Sequence, residues 1–166
     1  MPYVTQLEEF QGWRDIIERY LRRTVAIGAM LESPAAVLAM PHWFEYADFV
    51  AIGCNDLMQC LFAADRDLFE MRSYLDAYAP ELYRFLQQAV DDAGKNIDKV
   101  QLCGLLPQLP GVLPVLLGMG FRVFSVAPVM IPYLAATMKE IDLALAQARA
   151  RQVCAAKDSK AVRELL

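Results

Sequence analysis

Apolar residues recur at helical spacing between Gln6 and Arg23, at Leu7, Phe10, Trp13, Ile17, Tyr20 and Leu21. That spacing predicts an amphipathic helix with its apolar stripe turned inward. Thr5 stands where an N-cap belongs, with Glu8 three residues on as its capping-box partner. From Thr24 to Leu31 the pattern changes to a short β-branched and apolar run, which reads as a strand. Ser33-Pro34 opens a second helix, with proline at its first position. Asp48 to Gly53 is the next strand, and a helix begins near Asn55-Asp56, where an acid is favourable. Pro80 starts a further helix that runs through Ala93 and closes at Gly94. Val100–Cys103 reads as a third strand, Val112–Gly118 as a helix, and Arg122–Val126 as a fourth strand. Ile131 to about Gln152 reads as one helix, and Lys157 to Leu166 as a short polar helix or a frayed tail.

The order is a helix followed by four strand–helix pairs. Regular alternation predicts parallel strands joined by helical crossovers, so the fold class is α/β with an extra N-terminal helix. The strands are apolar throughout rather than alternating, which fits a sheet covered on both faces. No linker divides the chain, so residues 1–166 are expected to form a single domain.

Composition adds one tension. The apolar fraction is 57 % and the mean hydropathy is +0.27, high for a domain of 166 residues. The excess needs a covered sheet, a subunit interface or a membrane. Cys103 to Met138 holds Arg122 as its one charge, but five prolines and four glycines interrupt it. Neither half is an unbroken apolar run long enough to span a bilayer, so a buried strand–helix–strand unit is expected instead. A net charge of −4 and scattered basic residues argue against nucleic acid as a partner. The N-terminus lacks a charged-then-apolar leader pattern. Cys54, Cys60, Cys103 and Cys154 form no Cys-x-x-Cys pair, which points to free thiols and a cytoplasmic location. His42 is the single histidine and lies far from any thiol pair, so zinc is not expected.

In parallel α/β folds, polar residues just after a strand sit at the ligand-binding end. Those positions hold Glu32, Asn55, Asp56 and Cys103, with Ser125 in the fourth strand. Glu32 and Asp56 are carboxylates at adjacent strand ends, and two such groups suit magnesium completed by substrate oxygens and water. Spacing alone leaves the plainer reading open: Asp56 starts a helix and Glu32 is a surface acid. Asp65-Arg66 reads either as a surface ion pair or as an arginine fork on a phosphate or carboxylate. A lone Cys103 is ordinarily a small buried apolar residue.

Three stretches together resemble the phosphoenolpyruvate-utilising enzymes, in the barrel of enzyme I of the sugar phosphotransferase system. They are Ile27-Gly28-Ala29-Met30-Leu31-Glu32-Ser33-Pro34-Ala35-Ala36, then Asp48-Phe49-Val50-Ala51-Ile52-Gly53-Cys54-Asn55-Asp56-Leu57-Met58-Gln59 with Ala63-Ala64-Asp65-Arg66, and Cys103-Gly104 followed by Leu116–Phe121 and Phe124–Pro132. The resemblance runs from about residue 2 to residue 150, in order. It implies a TIM barrel of which this chain is the second half, strands five to eight, a (β/α)4 half-barrel. It also implies roles: Glu32 and Asp56 as magnesium ligands, Asn55 and Arg66 on the phosphoryl group of the substrate, and Cys103 as the catalytic proton donor to the enolate carbon.

The departures are specific. The family's Cys-Gly-Glu continues here as Cys103-Gly104-Leu105, its threonine before Asn-Asp is Cys54, and its tyrosine after glutamine is Cys60. The resemblance places the first four strands, the arginines that clamp phosphoenolpyruvate and the phosphorylated histidine outside this chain. Two functions therefore stand. One is a degenerate half-barrel, inactive alone, with a structural or regulatory role. The other is the magnesium-dependent, phosphoenolpyruvate-binding part of a phosphotransferase, completed in trans and binding a small phosphorylated or carboxylated ligand. Because a half-barrel exposes its sheet edges, self-association into a homo-oligomer is expected as well.

Overall fold

A computed structural model describes residues 1–166. The elements in chain order are α1 (Leu7–Tyr20), β1 (Gly28–Leu31), α2 (Pro34–Leu38), α3 (Met40–Trp43), β2 (Phe49–Gly53), α4 (Cys54–Phe62), α5 (Pro80–Ala93), β3 (Val100–Cys103), α6 (Val112–Met119), β4 (Val123–Ser125), α7 (Ile131–Lys139), α8 (Leu143–Ala155) and α9 (Ser159–Leu165). The four strands form one parallel sheet in the order β1-β2-β3-β4. This is the layout of half a (β/α)8 barrel, with α1 as the additional helix at the N-terminal side.

Strand register separates the two faces of the sheet. Ala29, Leu31, Val50, Ile52, Val100 and Leu102 alternate onto one face, and all are buried under the helices. Met30, Phe49, Ala51, Gln101 and Cys103 occupy the other, and most of these are only half-buried. Met1, Ile17, Met30, Phe49 and Ala51 line an apolar groove of about 320 Å³ along this second face. The continuous apolar character of the strands thus predicted cover on both faces, whereas the helices cover one.

The N-terminus extends the sheet. The Met1 ammonium donates to Gly28 O at 2.7 Å, and Met30 N–H donates to Met1 O at 2.7 Å. Met1 therefore pairs with the outer edge of β1 as an added strand residue would. The outer edge of β4 carries no paired strand.

Ser33 caps α2 by accepting from Ala36 N–H at 3.3 Å, and Pro34 and Pro80 stand at helix starts as expected. Gly94 closes α5 with φ +50°. Other expectations change. The N-cap of α1 is Gln6 without a side-chain bond, and Thr5 N–H reaches Glu9 at 3.5 Å, so Thr5 and Glu8 form no capping box. The helix expected from Ile131 to Gln152 is two, because Asp142 accepts from Ala144 and Leu145 N–H and caps a new start. The stripe of α1 has Phe10 buried, edge-on to Trp43 at 5.7 Å, but Trp13 is 54 % and Tyr20 84 % exposed. The uncharged C-terminal stretch is buried only in its first half. α6 packs into the core, while α7 has no buried residue, Val129 is 82 % exposed and Tyr133 71 %. No helix is long and apolar enough to cross a membrane.

Candidate functional site

β1 and β2 are neighbours, so the residues that follow them meet at one end of the sheet. Glu32 follows β1 directly, and Asp56 lies in the first turn of α4 just after β2. Glu32 is the one buried charged residue of the chain. It lies across the end of β2, where a side chain on Gly53 would meet Glu32 Cγ at 2.6 Å. Glycine at 53 is thus required by the close approach of the carboxylate, not by an unusual backbone angle.

Each carboxylate spends one oxygen inside the protein. Glu32 Oε2 accepts from Tyr3 N–H at 2.8 Å. Asp56 Oδ1 accepts from Gln59 Nε2 at 2.9 Å and lies 3.2 Å from Arg66 Nη1. Glu32 Oε1 and Asp56 Oδ2 have no hydrogen-bond donor from the protein. Burial holds the Glu32 carboxyl above its ordinary pKa, the Tyr3 N–H pulls it back, and the Asp56 charge pushes it up again.

Arg66 is fixed from two sides. Its guanidinium meets Asp56, and its backbone N–H donates to Gln59 Oε1 at 2.9 Å. Its sequence neighbour Asp65 instead accepts from Asp67 N–H, so the Asp65–Arg66 surface pair is not formed. Asn55 turns to the other neighbour: its Oδ1 accepts from Leu105 N–H at 3.3 Å. That bond ties the start of α4 to the turn after β3. Gly104 has φ +121°, and a Cβ there would come within 3.0 Å of Asn55 Oδ1, so both conformation and space call for glycine. Cys103 pairs in register with Gly53 and is half-buried at the end of β3. Ser125 is level with it on β4. The neighbouring Cys54 is fully buried, and burial pushes its thiol up to about 12.

Glu32, Asn55, Asp56, Arg66 and Cys103 therefore share one end of the sheet. Gln59 and Tyr3 were not legible as members. Gln59 stands three residues after Asp56, on the same face of a helix, and that spacing was an available signal. Tyr3 arrives by a contact far along the chain, for which the sequence holds no local sign. No group of three or more His, Cys, Asp or Glu side chains assembles anywhere in the chain. Glu32 and Asp56 are the residues that could hold a divalent cation.

Comparison with known proteins shows the family. Residues 1–143 match the family described as PEP-utilising enzyme, PEP-binding domain. The chain is similar to a protein named phosphoenolpyruvate-dependent phosphotransferase system from Salmonella typhimurium, 31 % identical over 98 % of this chain and 23 % of that protein. It is similar to multiphosphoryl transfer protein 1 of Escherichia coli K12, 31 % identical over 86 % of this chain and 17 % of that protein. A phosphoenolpyruvate-protein phosphotransferase from Mycoplasma capricolum is 29 % identical over 99 % of this chain and 30 % of that protein. The chain thus spans less than a third of the length of these curated relatives. With the family match running through both carboxylates, Asn55, Arg66 and Cys103, this chain belongs to the phosphoenolpyruvate-utilising enzymes, as part of their phosphoenolpyruvate-binding domain.

Proposed function

We propose that this chain supplies the cation- and phosphate-holding half of a phosphoenolpyruvate site and does not transfer a phosphoryl group by itself. One observation carries the reading: two adjacent carboxylates each keep an oxygen free of protein donors, beside an arginine already held in place. Glu32 and Asp56 are the residues that would hold magnesium. The chemistry it supplies there is charge compensation for phosphate and carboxylate oxygens of the ligand. Arg66 would add a donor fork to the phosphate, and Asn55 would present its amide N–H groups while its oxygen stays on Leu105. The Cys103 thiol, level with Gly53, would hold a proton near the ligand carbon.

What surrounds these groups supports the reading of inactivity in isolation. His42, the one histidine, is exposed on α3 beside Glu45 and is not at the strand ends. Leu105, where the family has an acid, is exposed and carries no charge. A structural or regulatory role is the second reading. It is favoured by the internal work of Asn55 and Asp56, which tie α4 to the turn after β3 and to the Arg66 loop.

Calorimetry separates the two. Magnesium together with phosphoenolpyruvate is expected to bind, and Asp56→Asn is expected to weaken that binding about tenfold or more. No pyruvate should form with the chain alone. Absence of binding, with unchanged folding of the variant, would leave the structural role; pyruvate production lost on Cys103→Ala would overturn the inactivity.

Self-association is part of the same proposal. The free β4 edge, the exposed apolar residues of α7 and the open face around Met30 and Phe49 are the surfaces it would cover. Sedimentation at micromolar concentration is expected to show a dimer or larger species, and a stable monomer would refute this.

A further inference from the structure

We infer that the backbone N–H of Tyr3 is a positioning group for Glu32, and that the segment Met1–Val4 is a strap that holds it in place. The inference rests on the reading of Glu32 as half of the cation-holding pair.

Tyr3 is one of two non-glycine residues in the chain with positive φ, at +50°. Such a conformation is disfavoured for a residue with a Cβ and persists when its surroundings fix it. Here the surroundings do so from both ends. Met1 is locked to β1 through Gly28 O and Met30 N–H, both at 2.7 Å. Val4, on the other side, is buried in the core. The Tyr3 hydroxyl adds a lateral contact with Cys60 Sγ on α4 at 3.7 Å. Between these anchors the chain turns so that Tyr3 N–H meets Glu32 Oε2 at 2.8 Å.

The bond has a directional effect. A buried carboxylate with one oxygen held by a donor presents the other in a fixed direction. Tyr3 takes Oε2, so the oxygen left without a protein donor is Oε1, which lies against Gly53. Without the N–H, the Glu32 side chain loses that constraint, and rotamer freedom must be lost when a cation binds. The residue type at position 3 is secondary. The donor and the left-handed turn are what the site uses.

Two measurements test this. The first is amide exchange at Tyr3 by NMR, without any metal. Its N–H is expected to be protected, and Glu32→Ala is expected to speed its exchange about tenfold or more, in line with the loss of one charge-assisted bond. Exchange at the unprotected rate in the wild-type protein would overturn the inference. The second is titration with Mn2+ as the probe. Tyr3→Pro removes the donor and fixes φ near −65°, and is expected to weaken Mn2+ binding about tenfold. Tyr3→Gly keeps the donor and tolerates positive φ, and should restore it. Equal binding by wild type and Tyr3→Pro would also overturn the inference while leaving the cation site intact. If the wild-type protein binds no Mn2+, the cation reading fails, and the exchange measurement still decides whether Tyr3 holds Glu32. It also decides alone if Tyr3→Pro does not fold.

Discussion

Gly118→Ala is expected to lower the melting temperature by about 4–8 °C, equivalent to about 2 kcal/mol in a chain of this size. Gly118 lies on α6 where that helix rests directly on α8. A Cβ at this position would come within 2.8 Å of Gln147 N, and closer still to the carbonyl carbon and oxygen of Ala146. These are backbone atoms, so no side chain can swing aside. The helices must separate, and both carry core residues: Leu116 and Met119 on α6, Ala150 and Val153 on α8. Alanine gains about 1 kcal/mol over glycine in helix propensity, which offsets only part of that cost. Gly12→Ala provides the opposite sign in the same assay. Nothing lies within 4 Å of a Cβ there, so the propensity gain stands alone and the variant should be more stable than the wild type. Equal melting of the two alanine variants would mean that α6 and α8 are not in such close contact.

The second large effect concerns Glu32 and changes sign with conditions. Burial first, and the Asp56 charge after the opposing Tyr3 bond, hold the folded-state carboxyl above its ordinary value of 4.5. The folded protein therefore keeps a proton that the unfolded chain has already released. Stability from this group is fully present below 4.5 and is lost as pH rises through the raised value. At neutral pH the charged side chain is a net cost. Glu32→Gln removes the charge and retains an oxygen for the Tyr3 N–H. The variant should melt above the wild type at neutral pH, and the gap should close on acidification toward 4.5. Saturating magnesium should reverse the order, since a ligand at 100 times its Kd adds about 2.7 kcal/mol to the form that binds it. Thermal melts at several pH values, with and without magnesium, read both effects. Coincident curves at neutral pH would contradict the burial argument, and equal stabilisation of both proteins by magnesium would contradict the role of Glu32 as a ligand.

Much of this arrangement could be read before the structure, for identifiable reasons. Strand ends were marked by a change of pattern, and the rule that polar residues after parallel strands face one ligand-binding end placed Glu32, Asn55, Asp56 and Cys103 together. For Arg66 the residues left a surface pair and an arginine fork both open, the resemblance pointed to the fork, and the structure brings it to Asp56 rather than to Asp65. What was missed depends on distant contacts. The period of α1 was right, but Trp13 and Tyr20 remain exposed: Phe10 is the helix's one buried residue, and Leu7 and Ile17 are partly buried against the core. Thr5 and Glu8 had the spacing of a capping box, yet Thr5 N–H turns to Glu9 and Gln6 is the N-cap. At Asp142 the signal was present: an acid before alanine and leucine caps α8 and ends the longer helix. Tyr3 could not be found locally, since its partner lies on the next strand's end.

The sequential strand order has a kinetic meaning. Each strand pairs with the next in the chain, so assembly can proceed by closing one loop at a time. The loops are unequal. The registers Gly28 with Phe49 and Gln101 with Val123 close short segments, while Val50 with Val100 closes one more than twice as long, holding α4 and α5. Loop-closure entropy rises by about 0.6 kcal/mol for each doubling of length, so joining β2 to β3 is the costlier of these steps. That step also brings Asn55 to the Leu105 N–H and Gly53 level with Cys103. The two halves of the site thus come together when the longest loop closes, and a chain folded on the N-terminal side of that junction alone would hold Glu32 and Asp56 without Cys103.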